Sequence, residues 1–231
     1  MSALTTAVRR IRSRASRRDQ GYSLPELMVT MLLLSIVMAI MVTLVSSISR
    51  SFTRSEAADD STNTAASGMN EMTRVIRSGT ELRVSGGGAS NVPVFVSATG
   101  NEVELYAFID TNSASPRPLR VRFSIDAQRR LVETRWNATN TAAPWTFAGT
   151  PSSSRVIARQ IPTAAPSMFR FYDVAGVEMT PPFTVTQRKA IAAVRIQLRV
   201  QADETGRAAP VDLLNTVSIP NLGISRVGPT P

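Results

Sequence analysis

The 231-residue chain reads as an α+β protein: a long N-terminal helix, transmembrane and then amphipathic, packed on an antiparallel β-sheet domain. Three features predict this. A run of 23 uncharged residues, Leu27–Ser49, contains neither Pro nor Gly. Apolar positions at a helical period follow it to about residue 77. Beyond Ser78 the period changes from 3.6 to 2, the mark of half-buried strands.

The chain begins with a basic leader, residues 1–21. Arg9, Arg10, Arg12, Arg14, Arg17 and Arg18 stand there against a single Asp19, so over half of the net charge of +9 lies in this stretch. No basic stripe interleaved with aromatics follows, and nucleic acid is not expected as a partner outside a DNA-uptake role. As a helix, Leu27–Ser49 would extend roughly 34 Å, enough to cross a hydrocarbon core of about 30 Å. Arg50 and Arg54 follow the run and are soon met by Glu56, Asp59 and Asp60. The positive-inside rule therefore puts residues 1–21 in the cytoplasm and the bulk of the chain outside, with a single pass through the cytoplasmic membrane. A secretory signal would carry a shorter apolar core, about 7–15 residues, before a small-residue cleavage site, and Val45-Ser46-Ser47 is a poor one. Met28, Met31, Met38 and Met41 line one side of the helix as adaptable packing residues.

Immediately before the run stands Gly21-Tyr22-Ser23-Leu24-Pro25-Glu26-Leu27. Pro25 suits a first helical turn, where its missing N–H costs nothing. A carboxylate at the bilayer centre costs roughly 2.5–3.5 kcal/mol on insertion scales. Glu26 is therefore expected either to meet a cation or to sit at headgroup level, favoured by the helix dipole. With the leader before it and the apolar helix after it, this segment resembles the prepilin peptidase recognition motif of type IV pilin-like proteins. The resemblance implies that the peptidase cuts between Gly21 and Tyr22, removes residues 1–21 and N-methylates the new Tyr22 amine. It also implies that Glu26 sets filament register by meeting the N-terminal amine of a neighbouring pilin or pseudopilin subunit. Ser35 and Thr43 stand where major pilins often carry Gly and Pro, which leans towards a minor, low-copy subunit.

After the transmembrane helix (22–49), residues 50–77 form its amphipathic extension. Ala58, Thr62, Ala65, Met69, Met72 and Ile76 recur at spacings of 4, 3, 4, 3 and 4, while Glu56, Asp60, Asn63, Asn70 and Arg74 take the other face. Helix propensity is mediocre over Asp59–Gly68, so packing must hold this half, and a local break is expected near Gly68. The β-rich domain, 78–231, ends in a loose tail. Val194, Ile196, Leu198 and Val200 alternate with Arg195, Gln197, Arg199 and Gln201, as in a half-solvated antiparallel strand, and Leu119–Ile125 reads likewise. Further strands are expected at Glu81–Val84, Val92–Ser97, Val103–Ile109, Leu131–Trp136, Val156–Ile161, Met168–Tyr172 and Leu213–Ile219. Turns fall at Gly86-Gly87-Gly88, Thr99-Gly100-Asn101, Asp126–Arg129 and Ala175-Gly176.

Residues 168–176 (MFRFYDVAG), 189–200 (KAIAAVRIQLRV) and 215–223 (NTVSIPNLG) resemble the C-terminal half of J-type minor pseudopilins and W-type minor pilins. There an aromatic strand with Tyr-Asp and a Gly turn precedes an alternating strand and a closing Asn-Leu. Strand, turn and strand explain the same residues without that resemblance.

Catalytic chemistry is not legible. With no Cys and no His, disulfides, Cys/His zinc sites and Ser–His–Asp or Cys–His arrangements are excluded. The sole lysine, Lys189, has no Ser three residues before it, and no phosphate-binding or nucleophile-elbow motif occurs. Asp110-Thr111-Asn112 lacks the Gly and distal Glu of a calcium loop and reads as a turn. Asp59-Asp60 and Asp203-Glu204 read as solvated surface. Trp136 and Trp145 flank a polar loop, Asn137–Pro144, and are expected in the core, with a partner surface as the alternative. The sequence thus predicts a non-enzymatic minor pilin or pseudopilin of a pilus or type II secretion filament, with no cofactor and no metal. Its alternative is a membrane-tethered adhesin or DNA-uptake module on the same scaffold.

Overall fold

A computed structural model describes residues 22–109, 115–201 and 209–222. The leader with Gly21, the Asp110-Thr111-Asn112 turn, Asp203-Glu204 and the tail from residue 223 lie outside the described residues. The chain divides into two compact units, 1–52 and 53–231. Helix α1, Leu24–Arg77, contributes to both and is unbroken over its 54 residues.

In the first unit, the side chains from Leu24 to Phe52 are almost all exposed, and α1 is long and apolar enough to cross a membrane. In the second unit, α1 buries Ser61, Ala65, Gly68, Met69, Met72, Val75 and Ile76. This corrects the expected stripe in two places. Thr62 faces solvent and Ser61 takes the buried position, its hydroxyl donating to the Ala57 carbonyl at 2.8 Å. Gly68 is no break but a close-contact point: a Cβ there would come 3.3 Å from the Ile157 carbonyl oxygen and 3.3 Å from Leu198 Cδ2.

Five strands form the first sheet in the order β1 (Phe95–Ala98), β2 (Glu102–Ala107), β3 (Leu119–Ile125), β4 (Leu131–Asn137), β5 (Ser153–Ala158), an antiparallel meander. The second sheet runs β7 (Glu178–Met179), β6 (Phe169–Tyr172), β8 (Ala193–Val200), β9 (Val211–Ser218), again antiparallel. The inward rows of both sheets and the buried face of α1 share one core, in which Met72, Ile76, Phe95, Leu105, Phe123, Leu131, Phe169, Phe171, Ile196 and Leu198 are fully buried. Phe171 meets Phe95 and Phe183 edge-on at 6.0 and 5.3 Å, the arrangement aromatic quadrupoles favour. This is the α+β layout the sequence predicts.

The differences are local. Glu81–Val84 forms no strand: Leu82 and Val84 make only isolated bridges, to Val92 and Trp145. Their alternation reflects packing into a second small cluster with Tyr106, Ala138 and Trp145. β5 starts and ends three residues earlier than expected, because Ser153–Arg155 pair with β4 while Gln160 turns the chain with φ +58°. Two elements were not anticipated. One is β7; the other is α2 (Val185–Ala190), one and a half turns held by a capping box in which Thr184 and Gln187 bond reciprocally.

Candidate functional site

Tyr22 and Ser23 precede the helix in non-helical backbone, and Tyr22 is 78% exposed. The Ser23 carbonyl accepts the Leu27 amide at 3.0 Å, the first helical bond. Pro25 and Glu26 therefore fall in the first turn, where Glu26 faces the positive end of the helix dipole. Ser23-Leu24-Pro25-Glu26 has capping-box spacing. Neither side chain makes the reciprocal bond, and the Glu26 carboxylate has no partner among the described residues. Sequence reasoning missed that spacing.

The hydroxyls of Thr30, Ser35 and Thr43 do not compete for that role. Each donates to a carbonyl of its own helix, three or four residues back, at 2.9, 2.7 and 2.8 Å. What the span offers outward is a continuous apolar surface, Leu27 to Ile48, with one carboxylate at its start. Such an element can be held by lipid or by other apolar helices, and its carboxylate can meet one positive group.

The other polar concentration is structural. Glu133 points inward from β4 and is fully buried, yet Arg135 Nε and Arg155 Nε donate to it at 2.7 and 2.5 Å. Glu71 of α1 accepts from Arg74, Arg135 and Arg155 at 2.6, 2.8 and 2.7 Å, tying helix to sheet. Burial pushes the Glu71 carboxyl up, but Arg74, Arg155 and Arg135 outweigh it and hold the group below its ordinary value. Burial likewise opposes the Arg155 charge, and Glu133 and Glu71 reverse that, raising its pKa. The buried Glu133 and the largely buried Glu71 are thus satisfied by three arginines, two of which reach solvent.

Trp136 and Trp145 are 4% and 8% exposed. Arg120 and Arg122 lie over the Trp136 ring at 4.5 and 4.9 Å, and Trp145 packs in the small cluster with Phe108 edge-on at 6.3 Å. Both are core residues rather than a partner surface, as the sequence favoured. The loop between them is pinned by Asn140, whose amide donates to the carbonyls of Ala142 and Pro144 and whose Oδ1 accepts from the Thr146 amide. Asp59 and Asp60 are exposed. Among the described residues no group of three or more Asp or Glu converges as a metal site would require.

Residues 16–42 match the family model of the prokaryotic N-terminal methylation motif, a stretch that contains Gly21, Tyr22, Glu26 and the apolar run as far as Val42. No curated protein matches the chain. That motif implies processing by a prepilin peptidase and assembly with other pilins, and its apolar helix suggests a membrane anchor. The chain carries an N-terminal methylation motif at the head of an exposed apolar helix, and this supports a type IV pilin-like protein.

Proposed function

We propose that the chain is a minor pilin or pseudopilin, a non-enzymatic subunit of a type IV pilus-like or type II secretion filament. The observation that carries the reading is the Glu26 carboxylate, without a partner among the described residues and fifth after the Gly21–Tyr22 bond, at the start of a helix that buries nothing of its own over the apolar run. Cleavage of that bond on the cytoplasmic side frees the Tyr22 amine, which is then N-methylated and stays cationic. As the subunit leaves the lipid, residues 22–49 enter a helix bundle and Glu26 meets the amine of a neighbour. That pairing offsets the desolvation of both charges and sets the axial register. The second unit stays outside the cytoplasm and makes lateral contacts near the tip, the role expected of a J-type or W-type subunit.

Intact-mass analysis of the full chain from cells with and without prepilin peptidase tests the processing. The expected product begins at N-methylated Tyr22 and forms only with the peptidase. An uncut Met1 start, or a cut beyond Ser49, would sink the mechanism. Glu26→Ala should be processed normally yet fail to enter filaments.

A further inference from the structure

We propose that the edge of β9 that no described strand pairs, with the groove beside Arg195, is a docking site for an extended acidic segment of a partner protein. The proposal goes beyond the filament reading and does not depend on how the N-terminus is processed.

The edge follows from the register. Ile219 donates to the Ala192 carbonyl, and β8 and β9 pair Val194 with Val217, Ile196 with Asn215 and Leu198 with Leu213. The main-chain groups of Leu213, Asn215 and Val217 therefore face β8, and those of Leu214, Thr216 and Ser218 face away from it. The latter have no backbone partner among the described residues. β9 is eight residues long, free of Pro and Lys, with Leu214 64% exposed. Natural edges are usually blunted by such residues, by other charges or by bulges; the charge on β9, Asp212, is paired with Arg199, and the rest of the strand is a template for one more strand.

The charge of the occupant follows from the solvent face. Arg170, Arg195 and Thr216 form one row across β6, β8 and β9, which sets two arginines directly opposite each other. Like charges in that relation are unfavourable unless compensated. Arg170 has Glu178 at 3.8 Å, and Arg199 is held by both oxygens of Asp212 at 2.8 and 2.5 Å. Arg195 makes no ion pair with a carboxylate among the described residues. Its guanidinium lies over the Tyr172 ring at 4.8 Å, and its Nε reaches Thr216 Oγ1 at 3.5 Å. A groove of about 500 Å³ opens there, lined by Tyr172, Asp173, Val174, Arg195, Thr216 and Leu222 among others; the Asp173 carboxylate accepts the Ala175 and Val177 amides of its own turn at 2.9 and 2.8 Å. An added strand places a side chain beside Thr216 on this face, about 5 Å away. That is the side towards which Arg195 leans. A carboxylate at that position compensates Arg195, and its apolar neighbours find Val174, Leu214 and Leu222.

The test uses the full chain in detergent micelles and two labelled eight-residue peptides of alternating Thr and Val, one with a central Glu and one with Gln in its place. Fluorescence anisotropy should show the Glu peptide binding at least about fivefold tighter. Hydrogen exchange should slow over Leu214–Ser218 and nowhere else. Arg195→Gln should erase the preference between peptides. Thr216→Pro removes an outward N–H, keeps the Asn215 and Val217 bonds to β8, and should abolish binding of both. Equal binding of the two peptides, or unchanged exchange at saturation, overturns the proposal. So does an edge already protected without peptide: protection that grows with protein concentration assigns it to a second copy, and constant protection assigns it to the chain's own segments.

Discussion

Replacing Gly68 by alanine separates two accounts of how α1 is held in the second unit. In an open helix the change stabilises by about 0.8–1.0 kcal/mol, because glycine carries more backbone entropy to lose. At Gly68 the new Cβ would sit 3.3 Å from the Ile157 carbonyl oxygen, 3.3 Å from Leu198 Cδ2 and 3.4 Å from Ala158 Cβ. The first is β5 main chain and the second belongs to a fully buried side chain, so neither can swing aside as a surface chain would. Overpacking of this kind costs about 1–3 kcal/mol. Set against the propensity gain, a net loss of about 1 kcal/mol is expected, or roughly 2–4 °C in Tm for a domain of this size. Gly68→Leu should at least double that loss. Thermal unfolding followed by tryptophan fluorescence reads the second unit, since both tryptophans are buried there and the apolar helix contributes none. A higher Tm for Gly68→Ala would refute the reasoning and show that α1 is not seated at this point against β5 and β8.

Two further perturbations probe other joints. The folded Glu71 carboxyl titrates below its ordinary value of 4.5, so the unfolded chain takes up the proton first as pH falls; the stability Glu71 contributes is complete above that value and is lost below it. Glu71→Gln should therefore lower stability at pH 7 by roughly 1–3 kcal/mol, with the gap narrowing below pH 4.5, and a gap that stays constant from pH 7 to pH 3 would contradict the assignment. Trp145→Ala empties the small cluster outside the main core. It should speed hydrogen exchange about tenfold or more over residues 80–92 and 138–147 while Ala65–Ile76 is unaffected, and a global drop in protection would mean that the two clusters are one.

How much of this was legible depended on where each signal resided. Leu119–Ile125 and Val194–Val200 stood out because each strand is wet on one face and buried on the other, and that asymmetry is written at period 2. The methylation motif was equally readable, since its arrangement is local and stands beside an apolar helix. Thr62 was mistaken for a buried position because a helical stripe three or four residues wide is ambiguous by one residue, and small polar side chains do not break the tie. Leu82 and Val84 alternate for a reason that only tertiary structure supplies. The sequence reading passed over Glu133; that it lies inside depends on Arg155 across the sheet and Glu71 on a helix, partners joined only by folding. The β9 edge is likewise a property of strand order, which no stretch of sequence records.

Thr30, Ser35 and Thr43 spend their hydroxyl protons on their own helix. From Leu27 to Val45, a helix that hides its polar atoms in this way presents nearly the same face at every rotation about its axis. Its packing in an apolar medium is then decided by side-chain shape and dispersion, which change gently with angle, rather than by hydrogen bonds, which switch on and off. Such a rod can turn among neighbours at little cost and slide past them without breaking a strong contact. Over that stretch azimuth is left loose, and the charged group at its start becomes a sharp reference.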